Sequence, residues 1–288
     1  MVEISAAMVM ELRKISGQGM MDCKKALQET DGDVQQAMAL LRKKGLATLA
    51  KRAGRDTSEG LVVYKSTDNG KTAVMATLCC ETDFVAKSDD FVATAQALVD
   101  FALACPADEG VENVLETTVD GKKFSDLLTE TVSKTGEKTE VGDCAKYKLD
   151  GPGLISTYVH FNDKVGTMIQ IETNDDATAS AKAIKQTASD IAMHVTATKP
   201  LALDKDQIDP ETVEQEKAIF AEQAKGKPEN IIEKIVEGKM NKYYAENCLL
   251  QQAFVKDDSK SVEQVLANAA KEAGGQAKIR RFVRFEVG

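Results

Sequence analysis

Two stretches of this chain are written on one plan. GLVVYKSTDNGKTAVMATLCCETDFVAKSDDFVATAQALVDFALACP, Gly60 to Pro106, and GLISTYVHFNDKVGTMIQIETNDDATASAKAIKQTASDIAMHVTATKP, Gly153 to Pro200, share the same order of features. Each runs Gly-Leu, a strand, a turn with Asp or Asn, a second strand, Glu-Thr, and a helix that stops before Pro. The offsets stay close, 93 from Gly60 to Gly153, 91 from Glu81 to Glu172 and 94 from Pro106 to Pro200. A pattern repeated in register folds as two similar halves. Each half reads as a small antiparallel sheet backed by helix, which makes the class α+β. TGEKTEVGDCAKYKL and AGGQAKIRRFVRFEV look like the closing strands of the two halves.

The repeat also exposes an insertion. Pro106 to Gly136 spans 30 residues, whereas Pro200 to Gly274 spans 74, a surplus of 44 in the second half. That surplus includes two helical runs separated by KGKP, where Gly and Pro break the pattern. Val213, Ala218, Phe220 and Ala224 on one arm are expected to face Ile231, Ile235, Met240 and Tyr243 on the other, in an antiparallel helical hairpin at about 209–250.

Before the repeat, SAAMVMELRKIS starts at a capping Ser5 and repeats apolar residues at helical spacing. MMDCKKALQET and VQQAMALLRKKG follow, the latter capped by Asp31 or Asp33 and stopped at Gly45. Three short helices sharing one small core form a bundle, and LATLAKRAGRDTSEG reads as a tether. The expected organisation is a helical module and tether at 1–56, one α+β half at 57–150 and the other at 151–288.

Charge separates these parts. The chain is −9 in total, yet residues 1–56 carry ten Lys and Arg against seven Asp and Glu, so a slightly basic module leads an acidic body. An acidic body disfavours wholesale nucleic-acid binding, whereas the basic module suits an acidic protein or a nucleic acid. No run of about 18 uncharged apolar residues exists, so no membrane span is expected. MVEISAAMVMELRKISGQG lacks the basic start and long apolar core of a signal peptide, which points to the cytoplasm. The six cysteines form no C-x-x-C pair and no cluster with histidine, which argues for reduced thiols and against a zinc site or disulfide framework.

The two copies differ at one loop, ETDFVAKSDD against ETNDDATASA. Thr followed by Asp or Asn is explained by capping of the coming helix. Phe84 is not, because the aligned residue in the second copy is Asp175. Two readings stay open from the residues alone: Phe84 folds back onto its own sheet, or it anchors in a partner's pocket. An enzyme built on Cys79 and Cys80 with His160 or His194 as base lacks a recognisable catalytic context. No G-x-x-x-x-G-K-[ST] loop is present, so no nucleotide site of that kind is expected in the chain itself. The basic bundle also fits a generic helical adaptor for ubiquitin-like proteins or RNA.

ELRKISGQGMMDCKKALQETDGDVQQAMALLRKKG resembles the opening module of the bacterial elongation factor Ts family, and CCETDFVAK resembles its Thr-Asp-Phe-Val motif. DIAMHVTATKP, KPENIIEKIVEGKMNKYY and RFVRFEVG match further stretches in the same order, so the resemblance covers essentially the whole chain. It implies a guanine-nucleotide exchange factor for elongation factor Tu, with no covalent chemistry and no cofactor of its own, acting on the partner's GDP and Mg2+. It implies that Asp83 and Phe84, flanked by Thr82 and Val85, enter the partner's GTPase domain. Arg13, Met20, Met21, Val165, Gly166 and His194 are further partner contacts by the same resemblance. The residues alone leave Met20 and Met21 open between core and surface, make Val165 and Gly166 a turn, and make His194 a packing residue. The bundle is similar in fold to a ubiquitin-associated domain, which by itself says nothing of a ligand. The hairpin looks like the family's coiled-coil arm, in a complex that is 1:1 or 2:2. Many relatives continue past the strand resembling RFVRFEVG with a further helical module, and a chain ending at Gly288 is expected to lack that part of the interface.

Overall fold

The computed structural model describes residues 4–108 and 110–288. Ser5 caps α1 (Ala6–Ser16) by accepting the Met8 amide at 3.3 Å, and Gly17 ends the helix at φ 67, in the left-handed region. Next come α2 (Met20–Glu29) and α3 (Val34–Arg52), the latter capped by Asp33. Val9, Leu12, Cys23, Ala26, Leu27, Ala37 and Leu41 form the small core that the helical spacing predicts. The expected stop at Gly45 is corrected, since α3 runs through it to Arg52. Gly45 serves close approach instead. A Cβ there would lie 2.8 Å from the carbonyl oxygen of Thr129 on a neighbouring helix of the body. Residues 46–52 of the stretch read as tether are therefore helix, lying against the body.

The first half opens with β1 (Glu59–Ser66) and β2 (Thr72–Cys80), followed by α4 (Asp83–Ala86), α5 (Asp89–Ala104) and α6 (Val111–Glu116). A short ribbon of β3 (Thr118–Val119) and β4 (Lys122–Lys123) leads into α7 (Phe124–Thr135), which carries Thr129, and then β5 (Thr139–Lys148). The second half repeats this with β6 (Gly153–Val159), β7 (Val165–Thr173), α8 (Asp176–Ser180) and α9 (Lys182–Thr198). Its insertion is α10 (Pro210–Gln223) and α11 (Glu229–Asn247), after which β8 (Ala253–Phe254), β9 (Asp257–Ser261), α12 (Val262–Glu272) and β10 (Ala277–Glu286) complete it.

Each half holds a three-stranded antiparallel sheet, β1-β2-β5 and β6-β7-β10, with equivalent strands in equivalent places. The two cores lie between sheet and helix, around Leu78, Phe91 and Leu98 in the first half and Ile169, Ile184 and Ile191 in the second. A third core joins the sheets to each other through Val62, Met75, Tyr147, Met168 and Val287. The middle strands are thus covered on both faces, and Ala73 to Leu78 and Gly166 to Ile171 are buried without interruption. That is why β2 and β7 lack the polar alternation of a half-solvated strand.

The hairpin stands apart from these cores. No residue of α10 is buried, and in α11 only Met240 is. Its inner face agrees with expectation at Ala218, Ala224 and Met240, and Val213 and Tyr243 pack at its base, whereas Ile232 and Val236 line the groove and Ile231 stays exposed.

Candidate functional site

The loop between β2 and α5 is fastened from two sides. Thr82 is extended, at φ −131 and ψ 154, and its hydroxyl oxygen accepts the Val85 amide at 3.4 Å, as the capping pattern predicts. A stronger hold comes from Glu137, just before β5. Its carboxylate accepts the Thr82 amide at 3.0 Å and the Thr82 hydroxyl at 2.8 Å. Glu81 faces the other way. It accepts the Lys138 amide at 2.7 Å and, on its two oxygens, the Arg52 guanidinium at 2.7 and 2.8 Å. The Lys138 amide, followed by Arg52, holds the Glu81 carboxyl below the usual carboxylate range. Two consecutive residues of the β5 approach therefore grip two consecutive residues of the loop, and Arg52 ties in the end of α3.

This grip sets the phase of the single turn α4. Ala86 is buried and Val85 packs partly against the first core, so the helix turns its opposite side outward. Phe84 stands on that outer side, 83% exposed. It does not fold back onto its sheet, so the first of the two readings open in the sequence fails. Asp83 beside it accepts the Lys87 ammonium at 2.8 Å. That hydrogen bond, and more weakly the charge of Lys164, keeps the Asp83 carboxyl below its ordinary range.

The equivalent loop of the second half carries two exposed polar residues, Asn174 and Asp175. Asp175 accepts the Thr178 amide at 2.7 Å, and Asn174 accepts the Gln276 amide at 2.6 Å. Gln276 immediately precedes β10, so this loop too is tied to the approach of its closing strand, and it presents no apolar side chain at position 175.

Other expected contact residues are distributed as follows. Arg13, Met20 and Met21 are exposed, the methionines at 50% and 62%, so neither methionine belongs to the bundle core. Their turn lies toward the loop, because Lys134 runs past Gly17 and holds Asp90, at the start of α5, at 2.8 Å. Val165, half-buried, begins β7, and a Cβ on buried Gly166 would meet the Val62 side chain at 2.8 Å, where the two halves touch. His194 is placed differently, fully buried and packed on Phe254. Its Nδ1 accepts the Val255 amide at 3.2 Å, which leaves Nε2 to carry the proton and donate to Gln252 Oε1 at 2.9 Å. Burial lowers the pKa of this ring, keeping it neutral.

One exposed aromatic escaped the sequence analysis. Phe161, in the turn between β6 and β7, is 88% exposed. Its signal was present in the repeat: HFNDK in the second copy stands where the first has the wholly polar TDNGK.

Thiol chemistry finds no support here. Burial pushes the Cys80 thiol up to about 12 and raises that of Cys79, so neither supplies thiolate near neutral pH. His160 is hydrogen-bonded to Tyr158 at 3.1 Å and His194 to Gln252 and Val255, away from both cysteines. Among the described residues no cluster of His, Cys, Asp and Glu is arranged to hold a metal ion, and no helix is long and apolar enough to cross a membrane.

Comparison with known proteins matches residues 81–288 to the family described as Elongation factor TS. Elongation factor Ts of a Nitratiruptor species is 44% identical over 288 residues, covering 99% of this chain and 93% of the relative. That of Clostridium botulinum (strain Eklund 17B / Type B) is 41% identical over 287 residues, with 99% and 93% covered. That of Prosthecochloris aestuarii (strain DSM 271 / SK 413) is 39% identical over 293 residues, with both chains covered in full.

Proposed function

Because this chain belongs to the elongation factor Ts family, whose role is nucleotide exchange in translation elongation, we propose that it releases GDP from elongation factor Tu by inserting the Asp83–Phe84 turn beside that partner's Mg2+ and phosphate site. The observation that carries this is Phe84, 83% exposed on a turn held by Glu137, Glu81 and Arg52. A large apolar ring fixed outward on a braced turn loses little freedom on docking, so most of its burial, about 1.5–3 kcal/mol, is available for binding.

Phe84 acts as the wedge. Displacing partner elements beside the nucleotide misplaces the ligands of Mg2+ and the backbone amides around the phosphates, and GDP loses both. Asp83, ionised and loosely paired with exposed Lys87, offers a carboxylate to partner donors at the same point. The factor and GDP then weaken each other's hold on the partner by the same factor, as linkage requires. GTP enters the emptied site and expels the factor. The chain itself binds no nucleotide or metal in this scheme.

Arg13, Met20 and Met21 supply a second contact from the bundle, and Val165 and Gly166 one at the seam between the halves. His194, sealed from solvent, contributes through its hydrogen bond to Val255, which is 49% exposed and is held in place by the buried ring.

The test is release of a fluorescent GDP analogue from elongation factor Tu with and without this chain. The parent accelerates release, and Phe84→Ala, folded normally by circular dichroism, loses most of the acceleration. Equal acceleration by both would remove the wedge from Phe84, and none by either would remove the exchange function.

A further inference from the structure

A single exposed apolar side chain means little by itself. Phe161, at 88%, has more behind it. The equivalent turn in the first half carries no aromatic and is closed by its own polar groups, with Asn69 accepting from the Thr67 hydroxyl at 2.8 Å and the Lys71 amide at 3.0 Å. The fold therefore does not require a ring at this turn. The same asymmetry, in the opposite copy, singles out Phe84 against Asp175.

The ring is also braced. Tyr158 and His160 are hydrogen-bonded at 3.1 Å, and the Phe161 ring lies against the imidazole with centroids 4.3 Å apart. The turn itself is pinned to the first half. The Val62 amide donates to the Asp163 carbonyl at 2.7 Å, and the Lys164 ammonium meets Glu59 at 2.6 Å. Glu59 is paired with Cys80, four residues before Phe84. Val62 lies three residues further along β1, about 10 Å at the rise of a strand. An interface of ordinary size covers about 800 Å2 on each partner, a patch about 30 Å across. The Phe161 turn therefore falls within reach of a patch of that size centred on Phe84.

We infer that Phe161 is a second aromatic anchor for elongation factor Tu, held beside the Asp83–Phe84 turn by the contact between the halves. This rests on the exchange reading for the identity of the partner. Phe161 supplies affinity, and Phe84 supplies displacement. An anchor on the flanking turn holds the partner equally with and without GDP, so it changes how much factor is needed and leaves the limiting rate alone.

Two measurements on the full chain decide it: the concentration dependence of GDP release, and direct binding to nucleotide-free elongation factor Tu by calorimetry. Phe161→Ala is expected to raise both the half-maximal concentration and the dissociation constant about tenfold, equivalent to about 1.4 kcal/mol, with the limiting rate unchanged. Phe161→Leu recovers part of the loss. Unchanged binding and half-maximal concentration in Phe161→Ala would overturn the anchor and leave exchange standing. If the parent chain does not accelerate release, the exchange reading fails and calorimetry alone decides: weaker binding of Phe161→Ala than of the parent supports the anchor, and equal binding, or none by either, overturns it.

Discussion

The loop after β2 and the loop after β7 both leave their sheet through Glu-Thr and both lead into a short helix, yet they end in opposite ways. After Glu172-Thr173, Asp175 caps the helix on the Thr178 amide, and Asn174 is tied to Gln276 just before β10. After Glu81-Thr82, Thr82 caps the helix, the ties run to Glu137 and the Lys138 amide before β5 and to Arg52, and Phe84 faces solvent. A repeat supplies its own control. What both loops share, a local cap and ties to the approach of the closing strand, belongs to the fold, and the outward ring that only one of them carries is free to meet a partner.

The most damaging change should be one that makes the first loop read like the second. Asp83→Asn with Phe84→Asp is expected to lower the acceleration of GDP release by about thirtyfold or more, as for loss of a central anchor. Its thermal midpoint should stay near that of the parent, since neither side chain belongs to a core. Retained acceleration would mean that the difference between the loops has no bearing on exchange.

Removing the brace while keeping the wedge should do less. Glu137→Ala leaves the Thr82 amide without its acceptor and is expected to cost about 1–3 kcal/mol of stability in urea titration. Exchange should fall several-fold, because Phe84 then searches for its orientation. Normal exchange in this variant would show that the outward turn holds without Glu137.

The smallest effect concerns pH. Folding lowers the Glu81 pKa below 4.5, so the unfolded chain takes up a proton there first, and stability rises with pH across that interval. The Glu81 contribution is complete above 4.5 and is lost as pH falls through the lower folded value. Arg52→Ala, which leaves the larger contribution of the Lys138 amide, should narrow that interval slightly in urea midpoints taken on either side of it. The matching Glu172 is paired with Lys278 and Arg280 of β10, and Glu172→Gln should leave the attachment of α3 unaffected.

Much of the architecture was legible because the repeat is local and in register: two sheets, their closing strands and the inserted hairpin all follow from spacing. The Asp83–Phe84 loop was legible as an exception to that repeat. What stayed hidden depends on contacts between residues far apart in the chain. Gly45 carries the same local signal whether it stops a helix or lets one lie close to Thr129, and only the α3–α7 packing decides. The outward phase of Phe84 follows from Val85 and Ala86 taking the inner side and from Glu137, 55 residues away, gripping Thr82. His194 is sealed by partners 58 and 61 residues distant, which its helix does not announce. In α11 Met240 faces inward as expected but Ile232 stands in the groove in place of Ile231, since a helix with apolar residues on two sides has no unique phase until its partner is known.

The most direct measurement uses the absence of tryptophan from this chain. Phe84→Trp places one indole on the first loop and Asp175→Trp places one on the second, and each is mixed with elongation factor Tu and compared with the parent mixture. The wedge predicts a blue shift of the added emission for Phe84→Trp on complex formation and none for Asp175→Trp. Emission from Phe84→Trp that stays at its solvent-exposed wavelength while GDP is released at the parent rate would contradict insertion of this turn.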